Sequence, residues 1–204
     1  MKVKIKNNIQ QNMKVKIKSA WKEVTIKEYI SIIGILQDKD LDELEINNYI
    51  LSVLTGLDIK EIRMLSIQEY TECLKATEFL KKSPSSKLKK NYIINNKKYN
   101  TVMKLSNVNT GQYMDLQELS KDYDSTIENM STILAIFLIP DGKKYGKYNL
   151  EEVADEIENH FNIEDAVTLT FFFSNLKGKL LTTFLLYLEK MKKKAEKKAE
   201  KKKR

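Results

Sequence analysis

The sequence predicts a mainly α fold (α+β), with helical bundle segments, an N-terminal β-strand pair, a small central hairpin and a long basic C-terminal helix. Three observations carry this expectation. Gly (6) and Pro (2) are scarce in the 204 residues, which argues against an all-β chain built on tight turns. Three capping boxes fall within residues 25–69, pairing Thr25 with Glu28, Asp58 with Glu61 and Ser66 with Glu69. Apolar residues recur at helical spacing over most of the chain.

Taken in order, residues 1–18 read as a basic β-strand pair or an extension. Met1-Lys-Val-Lys-Ile-Lys6 recurs as Met13-Lys-Val-Lys-Ile-Lys18, and each copy alternates with the period of a half-exposed strand. Either Met1 or Met13 serves as the start in this reading.

Residues 19–82 form a helical segment. Thr25 caps a helix running to about Gln37, with Ile26, Tyr29, Ile30, Ile33 and Leu36 or Gln37 on one face. A second helix spans Asp42 to Thr55, burying Leu44, Tyr49, Ile50, Val53 and Leu54, and stops at Gly56. Asp58 caps Ile59–Leu65, and Ser66 caps Ile67–Lys81.

Residues 83–90 read as a linker within a Lys, Ser and Pro-rich stretch. Residues 91–189 then hold a hairpin plus a helical bundle. The hairpin, Tyr92–Tyr99, turns at Asn95-Asn96, because Asn tolerates the positive φ of tight hairpin turns. Helices are expected over Gly111–Lys121, Thr126–Ile139, Leu150–Phe161 and Glu164–Asn175. A last helix from Lys179 continues into the lysine-rich tail, residues 190–204, and its apolar face stops at Met191.

Charge is distributed unevenly. The tail holds ten basic and two acidic side chains, and residues 1–18 add six lysines without an acid. Against the formal total of +8, residues 19–189 therefore sum to −6. A basic pI would ordinarily point to nucleic acid, but here the excess sits on the two ends. No apolar run reaches the roughly 20 residues of a membrane span, and the first residues lack a secretory h-region. The expected location is the cytoplasm or a particle.

Chemistry-bearing patterns are few. The single cysteine, Cys73, and single histidine, His160, leave no zinc ligand set. Cys73 sits in an amphipathic helix, where a free cysteine is usually a small buried apolar residue. Asp38-Lys-Asp40-Leu-Asp42-Glu43 starts like a calcium loop, but the sixth position is Glu43 and the twelfth Tyr49. Asp141-Gly-Lys-Lys-Tyr-Gly146-Lys147-Tyr148 has the wrong glycine spacing for a phosphate loop and reads as a turn-rich loop. Glu151, Glu152, Asp155, Glu156 and Glu158 lie opposite the stripe Leu150, Val153, Ile157 and Phe161, the pattern of an exposed helix face. No catalytic residue, cofactor or metal is expected.

Two groups remain as candidate contact sites. Lys192, Lys193, Lys194, Lys197, Lys198, Lys201, Lys202, Lys203 and Arg204 could neutralise phosphates without reading bases. Trp21, Tyr29, Tyr113 and Tyr145 are candidate interface anchors, since aromatic residues dominate interface energetics.

A family resemblance rests on several stretches in a fixed order. They are Trp21-Lys-Glu-Val-Thr-Ile-Lys-Glu-Tyr29, Tyr49-Ile-Leu-Ser-Val-Leu-Thr-Gly56-Leu-Asp-Ile-Lys-Glu-Ile62 and Lys98-Tyr99. Thr110-Gly-Gln-Tyr-Met-Asp-Leu116, Ile133-Leu-Ala-Ile-Phe-Leu-Ile-Pro140 and Lys144-Tyr145 follow. Over about residues 19–175 this order resembles morphogenesis or virion proteins of tailed bacteriophages, especially crAss-like phages of Bacteroidetes. The early helical part is also similar to tail-assembly chaperones. The resemblance implies a non-enzymatic structural or assembly protein in an oligomeric assembly with other phage proteins. Two alternatives stand beside it: a nonspecific DNA-binding accessory protein using the tail, and an assembly chaperone that the virion does not retain.

Overall fold

A computed structural model describes residues 15–120, 123–175 and Gly178. The first lysine-alternating copy, the helix expected from Lys179 and the lysine-rich tail lie outside the described residues. Helices dominate, joined by one small antiparallel sheet.

The described end of the second copy, Val15–Lys18, belongs to no strand, which corrects the strand expected there; Ile17 is buried and Lys16 exposed. The Lys18 N–H donates to the Leu54 carbonyl at 3.1 Å, so this segment docks on a helix end and not on a sheet.

Helix α1 (Ile26–Gln37) begins at the Thr25–Glu28 capping box. Helix α2 (Glu43–Thr55) begins at a box of Asp42 and Glu45, and ends at Gly56 with φ +76°, in the left-handed region that favours glycine. Helix α3 (Ile59–Arg63) starts from the Asp58–Glu61 box, and α4 (Ile67–Ala76) from Ser66–Glu69. Each box satisfies backbone donors at both residues of the pair. The predicted helix to Lys81 tightens into a 3-10 turn over Thr77–Lys81.

The buried face of α2 differs from the expected one. Leu44 is 60% exposed and Tyr49 40%, while Asn48, Ile50, Leu51 and Leu54 are buried. Apolar residues occur on two sides of this helix, and the Ile50–Leu51–Leu54 side won the core. Asn48 is accommodated there because its side-chain oxygen accepts from the Tyr70 hydroxyl at 3.0 Å.

The hairpin forms as expected. Strands β1 (Asn91–Ile94) and β2 (Lys97–Thr101) flank Asn95 and Asn96, both at positive φ. Tyr92, Ile94 and Tyr99 face the core, and Ile93 and Lys98 stand opposite one another on the outer side.

Helix α5 (Thr110–Leu119) starts at a further box, Asn109 with Gln112. The helix expected over Thr126–Ile139 is corrected: α6 (Tyr123–Glu128) and α7 (Met130–Phe137) are separate, and Leu138–Pro140 form strand β3 on β2. Ile139 precedes a proline and so favours extended backbone. The free edge of β2 supplies the partner, and Pro140 sits on an edge strand, where its missing N–H is tolerated.

Helix α7 is buried on nearly every side and lies at the centre, against α5, α6 and helix α8 (Leu150–His160). Residues 163–175 form the last described helix, α9. Phe173 there stacks on Phe137 with centroids 4.3 Å apart. Both helical segments contribute to one buried cluster running from Ile17 to Phe173. Backbone bonds tie the start of α1 to the α8–α9 joint: Ile26 N–H to Phe161 at 3.2 Å and Ile163 N–H to Val24 at 2.8 Å.

Candidate interaction surface

The segment between β3 and α8 is the turn-rich loop the sequence indicated. Lys143 N–H bonds the Pro140 carbonyl and Lys147 N–H the Lys144 carbonyl, both at 3.0 Å, making two successive turns. Gly142 (φ +75°) and Gly146 (φ +77°) occupy the third position of each, where a left-handed residue is required.

Two tyrosines fix this loop to the core. The Tyr148 hydroxyl donates to the Ala135 carbonyl at 2.6 Å, and the Tyr145 hydroxyl donates to the Asp115 carboxylate. Burial pushes the Tyr148 hydroxyl up to about 12. Burial, then the Asp115 carboxylate, pushes Tyr145 up as well. With both rings turned inward and half-buried, Lys143, Lys144 and Lys147 are left exposed.

Next to the loop is a cleft of about 480 Å³ between the hairpin and α8, with Lys97, Lys143, Glu152, Asp155, Glu156 and His160 among its walls. Glu156 is its most constrained group. Its carboxylate accepts from Tyr99 at 2.5 Å, Lys97 at 3.0 Å and Asn95 at 3.1 Å. Burial opposes its ionisation, but those three donors outweigh burial and hold it below the usual carboxylate value. Tyr99 is shifted upward by burial first and by Glu156 second. A saturated carboxylate with a lowered pKa accepts protons poorly near neutrality. The arrangement therefore suits holding the hairpin to α8.

This corrects the uniform exposed face expected for α8. Glu151, Glu152 and Asp155 are exposed, whereas Glu156 and Glu158 are half-buried, and Glu158 accepts from the Ser131 hydroxyl at 3.2 Å.

A second constrained carboxylate lies on α9. Asp165 accepts from Ser86 at 2.6 Å, Lys89 at 2.9 Å and Asn162 at 3.1 Å. Burial works against its charge, yet Ser86, Lys89 and Asn162 together keep its carboxyl below the ordinary range. Through Ser86 and Lys89 it holds the segment 83–90 to α9.

The candidate aromatic anchors are placed as follows. Trp21 meets Tyr29 and Phe79 edge-on, with centroids 5.7 and 5.0 Å away, and its indole N–H donates to the Lys82 carbonyl at 2.6 Å. Tyr113 is half-buried on α5. Tyr145 is bonded to Asp115 as described, at a distance from the Trp21 group along the chain and in separate contacts. Lys192 to Arg204 lie outside the described residues. Cys73 is fully buried on α4, and burial, followed by Glu69 and Glu72, pushes its thiol up.

The large side chains left in water were not anticipated. Met64, just past α3, is 85% exposed and Ile67, the first residue of α4, 87%, and Phe171, Ile93 and Met114 are also largely in water. Among the described residues no helix is long and apolar enough to cross a membrane, and no group of three or more His, Cys, Asp or Glu side chains could hold a metal ion. Comparison of the chain with family models, curated proteins and solved structures finds no match.

Proposed function

We propose that this chain is a structural or assembly protein of a tailed-bacteriophage particle that works through protein–protein contacts in the host cytoplasm or the virion. The observation that carries the reading is the pair Met64 and Ile67, which are almost fully in water on a fixed turn. The Asp58–Glu61 box precedes that turn and the Ser66–Glu69 box follows it. A single exposed apolar residue needs no explanation. Two large ones on one rigid turn lose little entropy on docking, which favours use as an anchor. The resemblance of residues 19–175 to phage morphogenesis and virion proteins supplies the class of partner. Trp21 and Tyr29 pack partly buried against the core.

The test is a phage carrying Met64→Asp and Ile67→Asp together. Both side chains lie in water, so thermal unfolding of the purified variant stays within a few degrees of the parent. Particle yield is expected to fall by at least about tenfold, the effect of losing one strong contact. Unchanged yield with an unchanged melting profile would remove the basis of the reading.

A further inference from the structure

We propose that one end of the first helical segment is a docking face for the C-terminal segment, residues 179–204, of a second copy, so that the chain self-associates head to tail. The proposal rests on the preceding reading of Met64 and Ile67 as a docking anchor and names what they take.

Contacts at the opposite end fix how the helices run. The Lys18 N–H bonds the Leu54 carbonyl in the last turn of α2 at 3.1 Å, and the Lys18 ammonium pairs with Glu28 in the first turn of α1. The start of α1 therefore lies beside the end of α2. Trp21 brings the end of α4 to the same place. It meets Tyr29 of α1 and Phe79, just past α4, edge-on, and its indole N–H donates to the Lys82 carbonyl. Because α1 packs on α2 and α2 on α4, α2 and α4 both run against α1. The end of α1 and the starts of α2 and α4 thus share the far end. The Tyr70–Asn48 bond, one turn inside α4 and α2, ties the two starts together.

Four large apolar side chains stand in water at that end. They are Leu36 in the last turn of α1, Leu44 in the first turn of α2, Met64 just before α4 and Ile67 at its first residue. Scattered single apolar residues are ordinary on a surface, but four at one end of a small helical unit mark a contact site. The same end is acidic. Residues 38–45, the loop after α1 and the start of α2, hold Asp38, Asp40, Asp42, Glu43 and Glu45 against one base, Lys39. No ion pair among the described residues neutralises any of these five acids.

An apolar face beside uncompensated carboxylates selects a partner that is both apolar and basic. The chain carries such a segment. Leu181, Phe184, Leu185, Leu188 and Met191 recur in sequence at helical spacing, and residues 190–204 then add ten basic and two acidic side chains. The segment is rooted elsewhere. Helix α9 begins at the opposite end of α1, with the Ile163 N–H on the Val24 carbonyl, and its Phe173 stacks on Phe137 of α7. That root favours docking onto a second copy, a heterologous contact that repeats from copy to copy.

The experiment is sedimentation velocity of the full-length protein from about 1 to 200 µM at several salt concentrations. Wild type is expected to form oligomers that grow with concentration and dissociate as salt rises. Asp38→Lys with Asp40→Lys, at two exposed positions, should weaken self-association at least about tenfold, and so should Lys192→Glu, Lys193→Glu and Lys194→Glu together. Mixed in equal amounts, these two variants keep one intact tail and one intact face between them, and are expected to stop at a 1:1 dimer. Met64→Ser with Ile67→Ser should weaken association similarly, with thermal unfolding unchanged to within a few degrees. A wild type that stays monomeric throughout would overturn the proposal, as would a mixture that fails to pair. A tail variant that associates as well as wild type would mean face-to-face pairing and overturn it too. Self-association is read on purified protein and the earlier reading on particle yield, so either can fail without the other.

Discussion

Asp165 carries two pieces of the fold at once, since its carboxylate accepts from Ser86 and Lys89 on one side and Asn162 on the other. Its value lies below the ordinary 3.8 in the folded chain. A carboxylate lowered by folding stabilises the native state above its unfolded value, and loses that contribution as pH falls through its folded value. Asp165→Asn should therefore cost about 1–3 kcal/mol at pH 7, most of it from the Ser86 and Asn162 bonds, because Lys89 is half-exposed. Below about pH 4 the gap between variant and parent should narrow, as read by urea melts at pH 7 and pH 3. An equal gap at both values would mean the charge of Asp165 is irrelevant. None of this was legible in the sequence: Ser86 is 79 positions away and sits in a stretch that reads as a linker. Glu156 was hidden for the same reason, since its donors come from a hairpin about sixty residues earlier.

At the scale of elements, local signals were the readable ones. The capping boxes at Thr25, Asp58 and Ser66, the Gly56 stop and the Asn95-Asn96 turn all depend on residues within a few positions. Asp42→Ala removes a box of the same kind and should lower stability by about 1 kcal/mol, measured by chemical denaturation. Strand β3 was not readable, because Leu138–Pro140 is a strand through its pairing with Thr101, Asn100 and Tyr99. On α2, Ile50 and Leu54 are buried as expected, but Leu44 and Tyr49 are exposed, because periodicity gives two apolar sides and tertiary contacts choose between them. This yields a direct contrast. Leu44→Lys should change stability by no more than about 0.5 kcal/mol, whereas Leu51→Ala should cost about 2–5 kcal/mol. Comparable losses from the two would contradict the assigned face.

For the whole molecule, a single buried cluster joins residues on both sides of segment 83–90. Ile26 on α1 and Ile157 on α8 are both fully buried in it. Ile26→Ala and Ile157→Ala should each lower the midpoint of one common thermal transition, and two separated transitions would show that the halves unfold independently. The sequence located most of the positive charge at the ends and the negative charge in the body. It did not reveal that Lys97 and Lys143 meet Glu152, Asp155 and Glu156 across one cleft, because that grouping follows from tertiary packing. Tyr145 and Tyr148 bond inward, Met64 and Ile67 stand in water, and Lys143, Lys144 and Lys147 are exposed, features that support the proposed role in contact with other macromolecules. The most direct test of the proposed phage role is quantitative mass spectrometry of purified tailed-phage particles and of assembly intermediates from cells that express this chain. The account predicts the protein in several copies per particle or per intermediate, and its absence from both would contradict it.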